Sequence, residues 1–267
     1  MNRRELLQLA ALAGATASAT RAHSQAQTAE STAAAAPRRT RIQMLVYPGM
    51  TLQDLVGPLQ VWCSWPGVEI QFAWKSAGPV PTDSGLAVSA TTSFADAWTA
   101  PDILFAPGGL MPTFDLLEDA TVIDFLRSRG AQAQWVTSVC TGAVLLGAAG
   151  LLRGYRAATH WFARDALALF GATPSNERWV IDRNRATGGG VTAGIDFGLA
   201  VMAQLASPEL ARVVQLALEY SPRPPFRSGT PEEADPQTLA TLRAAWGGEQ
   251  GQRIQSRLMA ASKRMSG

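Results

Sequence analysis

From Arg41 onward, short apolar runs alternate with stretches in which apolar residues recur every three to four positions. "RIQMLVYPG" predicts a strand closed by a Pro-Gly turn. "TLQDLVGPLQVWCSW" has helical spacing, with Leu55, Leu59 and Trp62 on one face. "VEIQFAWKSAG" predicts a second strand, and "GLAVSATTSFAD" has room for another short one. "PDILFAPGG" is apolar throughout its strand, as expected of a strand buried on both faces. "DATVIDFLRSRG" predicts a helix with an acidic start and a basic end, capped by Gly130. "QWVTSV" is a strand running into Cys140 and a small-residue helix, "TGAVLLGAAGLL". A helix is expected in "ATHWFARDALALFG", and a hairpin in "ERWVIDRNRATGGG", turning near Asp182–Asn184. Two more helices follow in "VTAGIDFGLAVMAQLA" and "PELARVVQLALEY". A Pro-rich stretch then leads into one final amphipathic helix, from about Gln237 to Met265.

Strands alternating with helices predict an α/β fold, a mostly parallel sheet with helices on both faces. In such sheets the sites lie beyond the carboxyl ends of the strands. Asp54, Gly108-Gly109 and Cys140 all follow strands, so they are expected to meet at one edge.

The beginning of the chain departs from this pattern. "MNRRELLQLAALAGATASA" places Arg3-Arg4 before a short apolar run and small residues, the order of a twin-arginine export signal. A signal over 1–26, a flexible linker over 27–40 and one α/β domain over 41–267 with a helical tail are expected, and hence a periplasmic protein. The apolar run is too short and too rich in Ala and Gly for a membrane span. The formal charge of the whole chain is +2. Removing the signal takes away that excess, which argues against a nucleic-acid surface. Two cysteines and two histidines, with no zinc-like spacing, predict no metal site.

A cysteine on a tight strand-to-helix turn faces the free N–H groups of the helix that follows, which favours thiolate. The competing reading is a buried cysteine acting as a small apolar residue. Asp54 fits either a helix N-terminal carboxylate or a proton shuttle for a nearby thiol. Thr141 is either a first-turn residue or a donor to the reacting centre. The amides of Gly108 and Gly109 are candidate donors to substrate or to developing negative charge.

"VTSVCTGAVLLGAAGLLRGYRAATHW", "ATGGGVTAGIDF" and "LALEYSPRPPFRSGTPE", with "LQDLVGP" and "FAPGG" in order before them, resemble the isonitrile hydratase branch of the ThiJ/PfpI superfamily. The resemblance runs from about Arg41 to the C-terminal helix. It implies a flavodoxin-like three-layer sandwich of the class I glutamine-amidotransferase type, usually a homodimer. It also implies a hydro-lyase that converts an isonitrile to an N-substituted formamide through a covalent thioimidate, without a cofactor. Cys140 would be the nucleophile, Asp54 the general acid/base and Thr141 the positioning neighbour. The apparent export signal departs from the family pattern and leaves the natural R group open. Superfamily proteases and chaperones carry His directly after the cysteine, where Thr141 stands here. The tail beyond Glu219 is too short for the paired helix-turn-helix units of regulator relatives.

Two other functions remain open at this level. One is a binding or redox-sensing protein that uses the thiol without turnover. The other is a glyoxalase- or deglycase-type enzyme, whose usual Glu and His have no counterpart here. His160 is expected to be a packed, hydrogen-bonded ring. Gly188-Gly189-Gly190 is expected to serve close packing near the elbow, since no Lys-Ser/Thr follows it. Cys63 lies nine residues after Asp54 on the same predicted helix, about 13 Å away along its axis. A bridge to Cys140 needs Cα atoms within ~7 Å, so two free thiols are expected.

Overall fold

The computed structural model describes residues 39–266. The expected signal peptide, His23 and all but the end of the expected linker lie outside the described residues. The sequence alternation is realised as β1 (Thr40–Leu45), α1 (Leu52–Trp62), β2 (Val68–Trp74), β3 (Gly78–Pro81), β4 (Ala87–Ala90), β5 (Thr92–Ser93) and β6 (Ile103–Ala106). Then come α2 (Met111–Asp115), α3 (Ala120–Gln132), β7 (Trp135–Val139), α4 (Gly142–Ala148), β8 (Arg156–Ala158) and a 3-10 helix, Trp161–Phe170. The remainder is β9 (Thr173–Ser175), β10 (Trp179–Asp182), β11 (Arg185–Gly188), α5 (Ala193–Leu205), α6 (Pro208–Ala217), α7 (Pro236–Trp246) and α8 (Gly248–Ser266). β1 starts at Thr40, the last residue of the expected linker.

Seven strands form the main sheet in the order β10-β11-β7-β6-β1-β2-β5. Every neighbouring pair is parallel except the β10–β11 hairpin. Two helical groups flank it. One joins α1, α5 and α6, and the other joins α3, α4, the 3-10 helix and α8. This is the flavodoxin-like α/β architecture. All four residues of β6 are buried, as its unbroken apolar run requires. Among the described residues, no helix is long and apolar enough to cross a membrane.

The glycines of "LVGP" and "AGIDFG" set the crossing of α1 over α5. A Cβ at Gly194 would sit 3.0 Å from Pro58 Cδ, and one at Gly198 would sit 3.2 Å from Pro58 Cα. Only bare backbone lets the helices approach so closely. Trp62 then reaches across and donates its indole N–H to the Gly198 carbonyl at 3.0 Å. Its ring meets Phe105 of the central strand edge-on, with 5.5 Å between centroids. This contact pins α1, and with it Asp54, over the end of the sheet.

Several local expectations need correction. Gly130 does not cap its helix: α3 runs on to Gln132. A Cβ there would come within 2.5 Å of Leu151, so Gly130 is a packing glycine. The segment "GLAVSATTSFAD" holds two strands, β4 and β5, and β4 pairs with an unforeseen β3. The helix after "THW" is 3-10. The final helix is broken into α7 and α8 at Gly247-Gly248, where Gly248 adopts a φ of 61°.

Candidate active site

The strands β1, β6 and β7 lie side by side at the centre of the sheet, and their carboxyl ends bring Asp54, Gly108-Gly109 and Cys140-Thr141 together. The contact is direct. The Gly108 N–H donates to Asp54 Oδ2 at 3.0 Å, and the Gly109 N–H donates to Thr141 Oγ1 at 3.1 Å. Both glycines named in the sequence therefore meet the site. Their amides are spent on site side chains rather than left free for developing charge.

Cys140 sits on the elbow with φ 57°, a left-handed conformation that costs a non-glycine residue about 1–2 kcal/mol. Three hydrogen bonds hold it there. Its N–H is shared between the carbonyls of Gly189 at 2.7 Å and Gly188 at 3.1 Å, and its carbonyl accepts the Thr159 hydroxyl at 2.7 Å. The turn also demands the glycine of "CTG". A Cβ at Gly142 would lie 2.1 Å from the Ala106 carbonyl oxygen.

Asp54 does not cap its own helix. Asp83 takes that role, accepting the Leu52 N–H at 3.0 Å. The Asp54 carboxyl is fully buried and turned to the sheet edge instead. Its Oδ1 has no hydrogen-bond partner among the described residues. The Cys140 thiol acts on this carboxyl as a nearby donor, without the geometry of a formed hydrogen bond. Burial is the main cause that lifts the Asp54 pKa from 3.8 to about 7, against the Cys140 and Gly108 donors. A neighbouring Asp83 pushes in the same upward direction.

The thiol departs from expectation. Burial, and then the negative potential of Asp54, push the Cys140 thiol well above its ordinary value, outweighing the lowering by the Thr141 N–H. Cys140 therefore rests as a thiol whose proton has one acceptor at hand, Asp54. Cys63 and Cys140 are both free.

His160 is turned to structure. Its Nδ1 accepts the Phe162 N–H at 3.3 Å and caps the 3-10 helix. Its ring lies 5.5 Å from both Trp161 and Trp246, and burial drives its pKa down to about 4. Thr159, His160, Trp161, Gly189, Gly190 and Val191 help line a cavity of about 290 Å³ behind the residues that grip the Cys140 backbone. Among the described residues, no cluster of three or more His, Cys, Asp or Glu side chains is placed to hold a metal ion.

Two site residues escaped the sequence. Tyr47 Oη lies 2.9 Å from Thr113 Oγ1, which lies 2.8 Å from Thr141 Oγ1. Tyr47 follows an apolar strand and reads as core. Thr113 lies in α2, a one-turn helix without a periodic pattern to announce it.

Known proteins share this fold. The chain is 47% identical over 194 residues to isonitrile hydratase of Pseudomonas putida, covering 73% of this chain and 84% of that protein. A crystal structure of a ThiJ/PfpI family protein from Pseudomonas syringae superposes with a TM-score of 0.79 at 44% identity, over 84% of this chain and 90% of that one. The helix-turn-helix transcriptional regulator CdhR of Pseudomonas aeruginosa is 32% identical over 183 residues, which is 66% of this chain but 53% of the regulator. The DJ-1/PfpI family model matches residues 40–204, from the first strand into α5. The chain belongs to the DJ-1/PfpI family.

Proposed function

We propose that the protein is a hydro-lyase that hydrates an isonitrile to an N-substituted formamide, with Cys140 as nucleophile and Asp54 as proton shuttle. The observation that carries this reading is the buried Asp54 carboxyl, poised near neutrality beside the Cys140 thiol with one oxygen unpartnered. A group with a pKa close to working pH both takes and returns a proton readily. The likeness to isonitrile hydratase supplies the substrate class.

The steps balance with these two groups alone. Asp54 takes the thiol proton as the sulfur attacks the isonitrile carbon, and returns that proton to the carbon. The product is a thioimidate, R–N=CH–S–Cys140. A water then adds to the same carbon, with Asp54 moving one of its protons to the nitrogen. The hydroxyl proton passes through Asp54 to the departing sulfur as the C–S bond breaks. Formamide and free thiol remain, and Asp54 is a carboxylate again. Splitting one hard addition into two through a covalent adduct lowers each barrier. No step calls on a metal or organic cofactor.

The proposal includes export by the twin-arginine route, which rests on Arg3-Arg4, and a homodimer, which rests on the family resemblance.

The test is formamide production from simple aryl and alkyl isonitriles by the purified protein. Cys140→Ala is expected to abolish turnover, and Asp54→Asn to reduce it severely. A wild-type protein inert toward all of them would shift the reading to a thiol-based binding or sensing protein.

A further inference from the structure

The hydroxyls of Tyr47, Thr113 and Thr141 form a chain sealed from solvent, each residue fully buried. Each hydroxyl has one proton to give, and the far end of the chain fixes where all three go. Tyr47 donates to the Pro107 carbonyl at 3.1 Å. Its oxygen must then accept from Thr113, 2.9 Å away. Thr113, its proton spent on Tyr47, accepts from Thr141 at 2.8 Å. The Thr141 oxygen is left as an acceptor, and the Gly109 N–H fills it at 3.1 Å.

The far side of that contact is the catalytic carboxyl. Gly108 is wedged between Thr141 and Asp54: a Cβ on it would fall 2.6 Å from Thr141 Oγ1 and 2.7 Å from Asp54 Oδ2. Gly108 and Gly109 thus form a rigid spacer, with Gly109 bonded to Thr141 and Gly108 bonded to Asp54. We propose that Tyr47 and Thr113 are positioning residues, an anchored hydroxyl chain that orients Thr141 and, through the Gly108-Gly109 turn, holds the Asp54 carboxyl in register with the Cys140 sulfur. This rests on the roles given above to Cys140 and Asp54.

The consequence is read at Asp54. Its Gly108 donor favours the carboxylate, so loosening the turn weakens that bond and moves the Asp54 titration to higher pH. The titratable groups acting on Asp54 are Cys140 beyond β7 and Asp83 beyond β3; Tyr47 beyond β1 in turn feels the charge of Asp54. Asp196, the acidic residue of the packed helix α5, is turned away to Arg178 and Tyr220.

The experiment is a carboxyl-carbon NMR titration of the full chain labelled at aspartate, with the Asp54 resonance assigned by its loss in Asp54→Asn. The wild-type midpoint is expected near 7. Thr113→Val removes one hydroxyl at constant shape and is expected to raise the midpoint by roughly half a unit or more, the scale of one net hydrogen bond. Thr113→Ser, which restores the hydroxyl, is expected to restore the midpoint. If Thr113→Val fails to fold, Tyr47→Phe removes the anchor at the other end and is expected to move the midpoint in the same direction. A midpoint that stays put, or falls, in the hydroxyl-deleted variant overturns the proposal, as does failure of Thr113→Ser to restore it. The readout needs no turnover. A protein inert toward isonitriles whose midpoint shifts as expected would sink the functional reading and leave the relay standing; an active one with an unmoved midpoint would do the reverse.

Discussion

Asp54→Asn tests the electrostatics of the site through stability rather than activity. The asparagine keeps the shape and still accepts the Gly108 N–H, but it does not titrate. In the folded protein the Asp54 pKa rises from 3.8 to about 7, and a shift of about three units corresponds to about 4 kcal/mol. The folded state holds this proton more tightly than the unfolded chain does. The stabilisation is therefore fully present below the unfolded carboxyl value near 4 and is lost as pH rises through about 7. Urea unfolding of wild type and variant at about pH 5 and about pH 8.5 reads this group, because groups that do not sense Asp54 cancel in the difference and Cys140 and Tyr47, which do, are held protonated by burial. Integrating the linkage between those points, the stability of Asp54→Asn relative to wild type is expected to grow by about 3 kcal/mol. A relative stability equal at the two pH values would refute the reasoning. Asp54 would then be an ordinary ionised carboxylate, and the shuttle would lose its physical basis.

Three further outcomes follow from the geometry. Gly142→Ala places a methyl 2.1 Å from a backbone oxygen of β6 with no flexible side chain to yield, so a loss of about 3 kcal/mol or more, or no soluble protein, is expected; a wild-type melting temperature would contradict the elbow packing. Burial lowers the His160 pKa to about 4, so its contribution is present above the ordinary value of 6.5 and lost as pH falls through about 4, by up to about 3 kcal/mol. His160→Asn, which can keep the cap, is expected to flatten that acid limb in unfolding curves, and an unchanged limb would count against it. Trp62→Phe removes the indole hydrogen bond to the Gly198 carbonyl and part of a fully buried ring and is expected to cost about 1–3 kcal/mol in chemical denaturation, with a neutral result counting against the α1–α5 clamp.

The alternation of apolar runs located β1, β6, β7 and the α1 and α5 helices, because the central strands are buried almost throughout and the helices bury one face on period. The same logic placed Asp54, Gly108-Gly109 and Cys140 at one edge, since each follows a central strand. Other elements gave no such signal. β3 (GPVP) carries two prolines and buries one residue, and α2 (MPTFD) is a single turn with no apolar period. The break at Gly247-Gly248 lies in a sequence that is amphipathic on both sides, so only the backbone angle at Gly248 reveals it. Gly130 was misread because a glycine near a helix end suits a cap and a close contact equally well, and Leu151, the neighbour that decides, is distant in sequence. The protonation of Cys140 was misread for a related reason. A helix N-terminus is visible in sequence, whereas the depth of burial that overrides it is a property of the whole fold. Tyr47 and Thr113 joined the site only once three separate segments had been brought together.

The most direct test of the covalent mechanism is intact-protein mass spectrometry of the protein quenched in acid milliseconds after mixing with excess isonitrile. The account predicts a transient species heavier by the whole mass of the isonitrile, located on the peptide that carries Cys140 and absent in Cys140→Ala. Formamide produced by wild type with no such adduct at any time, together with turnover retained by Cys140→Ala, would contradict it.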